Sequence, residues 1–220
     1  MNAQLAIFGV GGFARETAWL ARKCRQADAA GPVPVCFVGL AEDIARGAVN
    51  GLDVLAAAAA RQRFPDALAV CAAGEPALRA RLVAEATAAG FCFATLIHPN
   101  TEYDDTTVTI QEGTVICTGG SLTTNIVVGR HVQINPGCTI GHDVILDDYA
   151  SLAPGVRLSG YVHVKAGAYL GTGAVTVQGH QGRRLVIGEA AVVGAGAVVT
   201  TDVPAGATYV GIPARPIRRG

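Results

Sequence analysis

The adjacent pair His142-Asp143, in the run INPGCTIGHDVILDDYASLAPGVRLSG, is where residue types and spacing in this chain could do chemistry. A neutral imidazole takes a proton from a hydroxyl or an amine near neutral pH, and a neighbouring carboxylate can orient the ring and stabilise the imidazolium. Asp143 is the nearest acid, with Asp147 and Asp148 as alternatives from another corner or subunit. The bland alternative is an exposed polar residue at a turn. The other histidines carry weaker signals: His98 ends a strand-like segment, His131 and His163 fall at corner or outward strand positions, and His180 lies in an irregular stretch. No cysteine or serine stands next to a base in a nucleophile-like setting, which disfavours a covalent enzyme intermediate.

A second candidate lies near the N-terminus. Gly9-Val10-Gly11-Gly12-Phe13-Ala14 satisfies G-x-G-x-x-A between a predicted strand, Gln4 to Val10, and a predicted helix, Phe13 to Ala27. Glycines in that setting let a phosphate or nucleotide approach the backbone at the helix N-terminus. Tight strand-to-helix packing is the alternative reading of the same residues. A full dinucleotide fold is disfavoured because only about four strands are predicted rather than six. Glu42 and Asp43 follow the second strand at roughly the place of the acidic residue that usually completes such a site.

The elements that must position these groups emerge from periodicity. Residues 1 to about 97 alternate strand and helix patterns: after the first pair come a strand Val33 to Leu40, a helix Leu52 to Arg63, a strand Leu68 to Ala73, a helix Glu75 to Ala89 opened by Pro76, and a strand Phe91 to Ile97. Alternation of this kind builds a parallel α/β sheet. From Ile110 an aliphatic residue then returns at every sixth position, through Ile116, Leu122, Val128, Ile134, Ile140, Leu146, Leu152, Leu158, Val164 and Leu170. Each hexapeptide supplies one short strand and one corner, so three of them, about 18 residues, close one triangular coil of a β-solenoid.

Two residues before each aliphatic lies a second inward position, apolar or small except for Thr114 and a gap at Gly120. The residue after the aliphatic is expected to turn the corner in a left-handed backbone, where Gly129, Asn135, Gly141, Gly171, Gly188 and Gly194 stand. On this register His142 faces outward on an edge, with Thr124 and Gly160 one coil below and above, and Gly160 is expected to leave room for a ligand. Leu170 to Ile187 is seventeen residues rather than twelve, so five residues, about His180 to Arg184, must bulge out as a loop able to cover a site edge.

Composition removes several partner classes. With 17 basic and 17 acidic side chains the formal charge is zero, and the pairs Arg183-Arg184 and Arg218-Arg219 are too short for a nucleic-acid surface. The Ala-rich stretch from Leu55 stops at Arg61, so no membrane insertion is expected, and the N-terminus lacks the basic segment of a signal peptide, which points to the cytoplasm. The six cysteines show no CxxC spacing; Cys36, Cys71 and Cys92 read as buried packing residues, and no metal is expected.

Taken in order, GVGGFARE, TLIHPN, INPGCTIGHD, LAPGVRLSG and IGEAAVVGAGAVVTTDVPAGATYVGIPAR resemble the sialic-acid O-acetyltransferase-like family of bacterial sugar acyltransferases. That family includes N-acetyltransferases acting on nucleotide-linked 4-amino sugars. The resemblance covers nearly the whole chain. It implies a Rossmann-like nucleotide-sugar-binding domain over 1–100 and a left-handed parallel β-helix acyltransferase domain over 101–220, assembled as a homotrimer with acetyl-CoA between neighbouring helices. His142 falls on the family's general base, Asp143 on the acid that raises its basicity, and Asn135 on the asparagine of the preceding corner. Acetyl-CoA contacts fall on Ser151, Gly160, Thr172 and the corner Gly194, Ala195, Gly196; nucleotide-sugar contacts fall on Gly9, Gly11, Gly12 and Phe13, to which the acidic pair Glu42 and Asp43 is added. This chain departs from the family pattern in having Ser151 and Phe13 where some members carry histidine, a shifted acidic pair, and the extra residues near His180. The implied reaction is direct acetyl transfer to a sugar amine. The alternatives are O-acetylation of sialic acid or another sugar hydroxyl, and a non-catalytic trimeric nucleotide-sugar-binding protein.

Overall fold

The computed structural model describes residues 3–217, so the Arg218-Arg219 pair lies outside the described residues. The chain divides into two compact units, one ending at Pro99 and one starting at Asn100.

The first unit is a sheet flanked by helices. Its elements in chain order are β1 (Gln4–Phe8), α1 (Gly12–Ala27), β2 (Val33–Val38), α2 (Ala41–Ile44), β3 (Ala48–Val49), β4 (Leu52–Leu55), α3 (Ala57–Arg63), β5 (Leu68–Cys71) and α4 (Pro76–Ala88). The strand order is β3-β4-β2-β1-β5, with every pair parallel except the β3–β4 hairpin. Continuous apolar runs such as Leu5–Phe8 are fully buried, as a sheet covered on both faces requires. The expected helix from Leu52 starts only at Ala57, because residues 52–55 form β4. The missed hairpin turns at Asn50 and Gly51, both at positive φ (49° and 79°), the conformation that a two-residue hairpin turn demands. The expected last strand is reduced to a bridge between Phe93 and Ala69 and a short strand Leu96–Ile97.

The second unit is a parallel β-solenoid. Ser121 pairs with Thr139 and Thr139 with Arg157, so residues eighteen apart stack as neighbouring coils. The aliphatic of each hexapeptide points inward and is buried, apart from half-buried Ile110. Each such side chain removed from water contributes about 1.5–3 kcal/mol. The second inward position is buried as well, and the polar exception, Thr114, donates to the Gly129 carbonyl (2.8 Å) and accepts from the Val132 N–H (3.1 Å). Three faces result. The first includes Gln133–Ile134 and Ser151–Leu152, the second Thr139–Ile140 and Arg157–Leu158, the third Ile145–Leu146 and Val162–Val164.

The corners differ from expectation in one respect. Positive φ falls at the third residue after the aliphatic, not the first: Asn125, His131, Gly137, Asp143, Tyr149, Gly155 and Tyr161 all lie between 54° and 72°. The glycines directly after the aliphatic serve close approach instead. A Cβ on Gly171 would stand 2.6 Å from the Ala195 nitrogen, and one on Gly141 would stand 2.8 Å from the Gly160 nitrogen, both backbone atoms of the next coil.

These two kinds of glycine should respond differently to substitution. Gly171→Ala forces coils apart and is expected to destabilise by about 1–3 kcal/mol. Gly137, at φ 72° with open space where a Cβ would go, should lose only about 1–2 kcal/mol as alanine and recover most of it as asparagine. Thermal midpoints of the three variants test this; equal losses in Gly171→Ala and Gly137→Ala would contradict it.

Candidate active site

The solenoid corners line up as three edges. The edge between second and third faces stacks 123–125, 141–143 and 159–161. His142 lies there, its side chain 43% exposed, with the Asp143 carboxylate Oδ2 at 2.8 Å from its Nδ1. Asp143 faces its neighbour because it occupies the left-handed corner position, φ 58°. With Nδ1 committed to a carboxylate, the ring holds its proton on that nitrogen when neutral and leaves Nε2 as a lone-pair acceptor. The other acids are engaged elsewhere within the chain: Asp147 Oδ1 bonds His163 Nε2 (2.8 Å) with Lys165 at 3.8 Å from its second oxygen, and Asp148 accepts from the Arg130 N–H (2.7 Å).

The space above Gly160 is not open to a ligand. A Cβ there would meet His142 Nε2 and Cε1 at 2.5 Å, so the glycine seats the imidazole itself. Tyr161 closes the ring's side edge-to-face, centroids 5.1 Å apart at 87°. Arg184, from the expected insertion, donates to the Asp143 carbonyl and lies over Tyr161 at 5.8 Å. Sequence reasoning missed Tyr161 and did not single out Arg184 from its loop. The register signal was available, since Tyr161 follows Gly160 one coil above Asp143. A hollow of 560 Å³ opens beside the dyad, lined by Asp143, Tyr161, His163, Lys165, Gln181 and Arg184 among others.

The remaining expected contacts are placed unevenly. Asn135, Thr172 and the Gly194-Ala195-Gly196 corner share the edge between first and second faces, where Gly196 N–H bonds the Thr172 carbonyl (2.8 Å). That edge is a full face of the prism away from His142 in the same chain. The Asn135 side-chain amide donates to the Leu152 carbonyl at 2.8 Å, joining two coils. Ser151, the expected acetyl-CoA contact, is 1% exposed in the single chain.

In the first unit, β2 and β5 lie on opposite sides of β1, so chain connections diverge at the end of β1, where the glycine turn sits. Open α/β sheets bind ligands at such a switch point. A cavity of 580 Å³ lies there, walled by Gly9–Phe13, Val38–Leu40 and Ala72–Glu75, all following strand C-termini. At Gly9, φ 111°, an added Cβ would stand 2.9 Å from the Ala72 carbonyl oxygen, which is the tight-packing role, whereas at Gly11 a Cβ would meet nothing within 4 Å. No acidic residue sits in the first turn of α1 and no side chain caps it. Its N–H groups are therefore positioned for an anion. Phe13 and Asp43 line the cavity, with Asp43 3.5 Å from Arg46, while Glu42 is exposed and does not line it.

The thiols of Cys36, Cys71 and Cys138 are unsuited to nucleophilic work. Burial pushes Cys36 and Cys138 up to about 11 and Cys71 to about 12, whereas Cys92 is exposed rather than packed. No group of three or more His, Cys, Asp or Glu able to hold a metal exists among the described residues, and no helix among them is long and apolar enough to cross a membrane.

Comparison with known proteins agrees with this architecture. The bacterial transferase hexapeptide family matches residues 125–160. Over 97% of this chain and 96% of its counterpart, the sequence is 34% identical to GDP-perosamine N-acetyltransferase of Escherichia coli. The chain belongs to the hexapeptide-repeat bacterial transferases. Among solved structures, this transferase superposes with TM-score 0.87 on a histidine-to-asparagine mutant of perosamine N-acetyltransferase from Caulobacter crescentus in complex with CoA and GDP-perosamine, at 28% identity over 98% of this chain and 97% of that one. It superposes with TM-score 0.85 on the acetyltransferase domain of PglB from Neisseria gonorrhoeae in complex with acetyl coenzyme A, at 28% identity over 99% and 100% of the two chains.

Because the imidazole of this transferase rests on a bare backbone, Gly160→Ala should tilt it away from Asp143. Displacements near 1 Å cost about 100-fold in rate. The expected result is a turnover loss of that order with a thermal midpoint within a few degrees of the parent, measured by thiol release and calorimetry; unchanged turnover would show that the seat is dispensable.

Proposed function

We propose that this transferase moves the acetyl group of acetyl-CoA onto the amine of a nucleotide-linked 4-amino sugar, with His142 as general base and Asp143 as its orienting acid. The observation that carries the reading is the 2.8 Å Nδ1–Oδ2 pairing on an exposed solenoid edge, in a chain that matches an amino-sugar N-acetyltransferase from end to end. Nε2 accepts the amine proton as the nitrogen lone pair attacks the thioester carbonyl. The C–N bond forms, the C–S bond breaks, and the imidazolium returns its proton to the departing CoA thiolate. Corner N–H groups are the natural donors for the developing oxyanion. With the buried thiols raised far above neutrality, a direct transfer is favoured over an acyl-cysteine route.

The first unit is read as a Rossmann-like domain whose cavity takes the nucleotide, the diphosphate meeting the open N-terminus of α1 at Gly11 and Gly12 beside Phe13 and Asp43. The solenoid is read as the left-handed β-helix of the family. Its assembly as a homotrimer is supported by the separation of expected contacts on different edges. His142 occupies one edge while Thr172 and Gly194–Gly196 occupy another, so a thioester between them needs edges from two subunits. A cytoplasmic location suits enzymes that draw on acetyl-CoA and nucleotide sugars.

Thiol release from acetyl-CoA, measured against GDP-, UDP- and dTDP-linked 4-amino sugars and free sialic acid, tests the function. Turnover is expected on one amino sugar, and His142→Ala should lower kcat by about 10²–10⁴. Activity confined to sialic acid would replace N-transfer with O-transfer. Tight nucleotide-sugar binding without turnover or CoA affinity would leave a binding protein.

A further inference from the structure

The hexapeptide register resumes late beyond residue 179, since Val162 pairs with Leu185 and Tyr169 with Val192, offsets of 23 rather than 18. Nothing in coil stacking requires the extra residues. They form a tight loop closed by reciprocal backbone bonds between His180 and Arg183, at 3.1 and 3.0 Å. Both stems are tied to the coil beneath: Gly179 N–H donates to the Gly160 carbonyl and Leu185 N–H to the Tyr161 carbonyl, each at 3.0 Å. The loop is thus fixed directly over the residues that seat and flank His142.

Its last member turns back toward the dyad. Arg184 Nη1 donates to the Asp143 carbonyl, which accepts from no backbone N–H among the described residues, and the guanidinium lies 5.8 Å from the Tyr161 ring centroid. Tyr161 in turn stands edge-to-face against His142. Asp143 and Tyr161 are both held at positive φ, a conformation disfavoured for non-glycine residues, so both corners gain from an external clamp. Arg183, by contrast, is exposed and outside the hollow.

We propose that Arg184 is a positioning residue for the transfer step: the insertion delivers one guanidinium that fixes the Asp143 backbone and the Tyr161 ring together, holding His142 in its productive orientation. A rigid planar cation with several donors suits this double task better than an ammonium. The inference rests on His142 being the base.

The test compares Arg184→Ala, Arg184→Lys, Arg183→Ala and His142→Ala in the full-length enzyme, reading kcat and KM for both substrates. Arg184→Ala is expected to lose about 10–100-fold in kcat with KM for acetyl-CoA within about twofold. Added guanidinium should restore part of that kcat in Arg184→Ala and none in His142→Ala. Arg184→Lys should fall between parent and alanine variant, and Arg183→Ala should match the parent. Should the alanine variant unfold, Arg184→Gln is read in the same way. Full kcat in Arg184→Ala, or a loss confined to KM for the sugar, would overturn the proposal while a dead His142→Ala preserved the dyad. Full kcat in His142→Ala would remove both readings together.

Discussion

In the central coils of the solenoid each strand residue answers to the residue eighteen places away. Parallel pairing at that offset, as in Ser121–Thr139–Arg157, satisfies the backbone polar groups only if each coil has the same length and the same corners. The aliphatic ladder makes the register stable, because a slip by one residue would turn Ile134 or Ile140 outward and its polar neighbour inward. Once register is fixed, so are the edges. His142 must lie under the 160 position and over the 124 position, and the chemistry of the site is decided by what those two places carry. The five extra residues that separate Val162 from its partner Leu185 are absorbed as a surface loop, leaving Leu170 and Ile187 buried on either side of it.

The same register explains what could and could not be read in advance. Strand and inward positions follow from side-chain alternation, so the buried set from Ile116 to Leu170 was legible. Corner conformation was not, because an aliphatic-plus-one glycine satisfies two different demands, a left-handed backbone or a close approach, and composition does not distinguish them. Gly171 and Gly137 illustrate the two cases. In the first unit the β3–β4 hairpin was hidden by Ala-rich sequence after it, although the Asn50-Gly51 turn carried the signal. Cys92 is exposed where an apolar run predicted burial, because strand alternation breaks down in the segment after α4. For Glu42, the short helix α2 intervenes after β2 and turns one acid of the pair into the cavity and the other away.

On the proposed function, the two units divide the physical labour of recognition and chemistry. The sheet offers a cavity whose donors are backbone N–H groups at a helix start, well matched to phosphate and indifferent to pH. The solenoid offers a rigid edge with one imidazole whose neighbours are all held by the coil lattice. A second His–Asp pair, His163 with Asp147, borders the hollow beside that imidazole, but its ring is only 17% exposed, against 43% for His142. The difference in access separates a group available to a substrate from one that stiffens the wall.

The left-handed corner at Asp143 has a wider consequence. A general base and its orienting acid usually come from segments far apart in sequence, so that acquiring the pair needs a coincidence of two remote changes in a fold that already juxtaposes them. Here the bend of the corner turns one residue to face the one before it, so the pair proposed for those roles is encoded by two adjacent codons, 142 and 143. Any exposed corner of such a solenoid with the same backbone bend can bring two consecutive side chains face to face, and a change of those two residues leaves the inward ladder that holds the fold untouched.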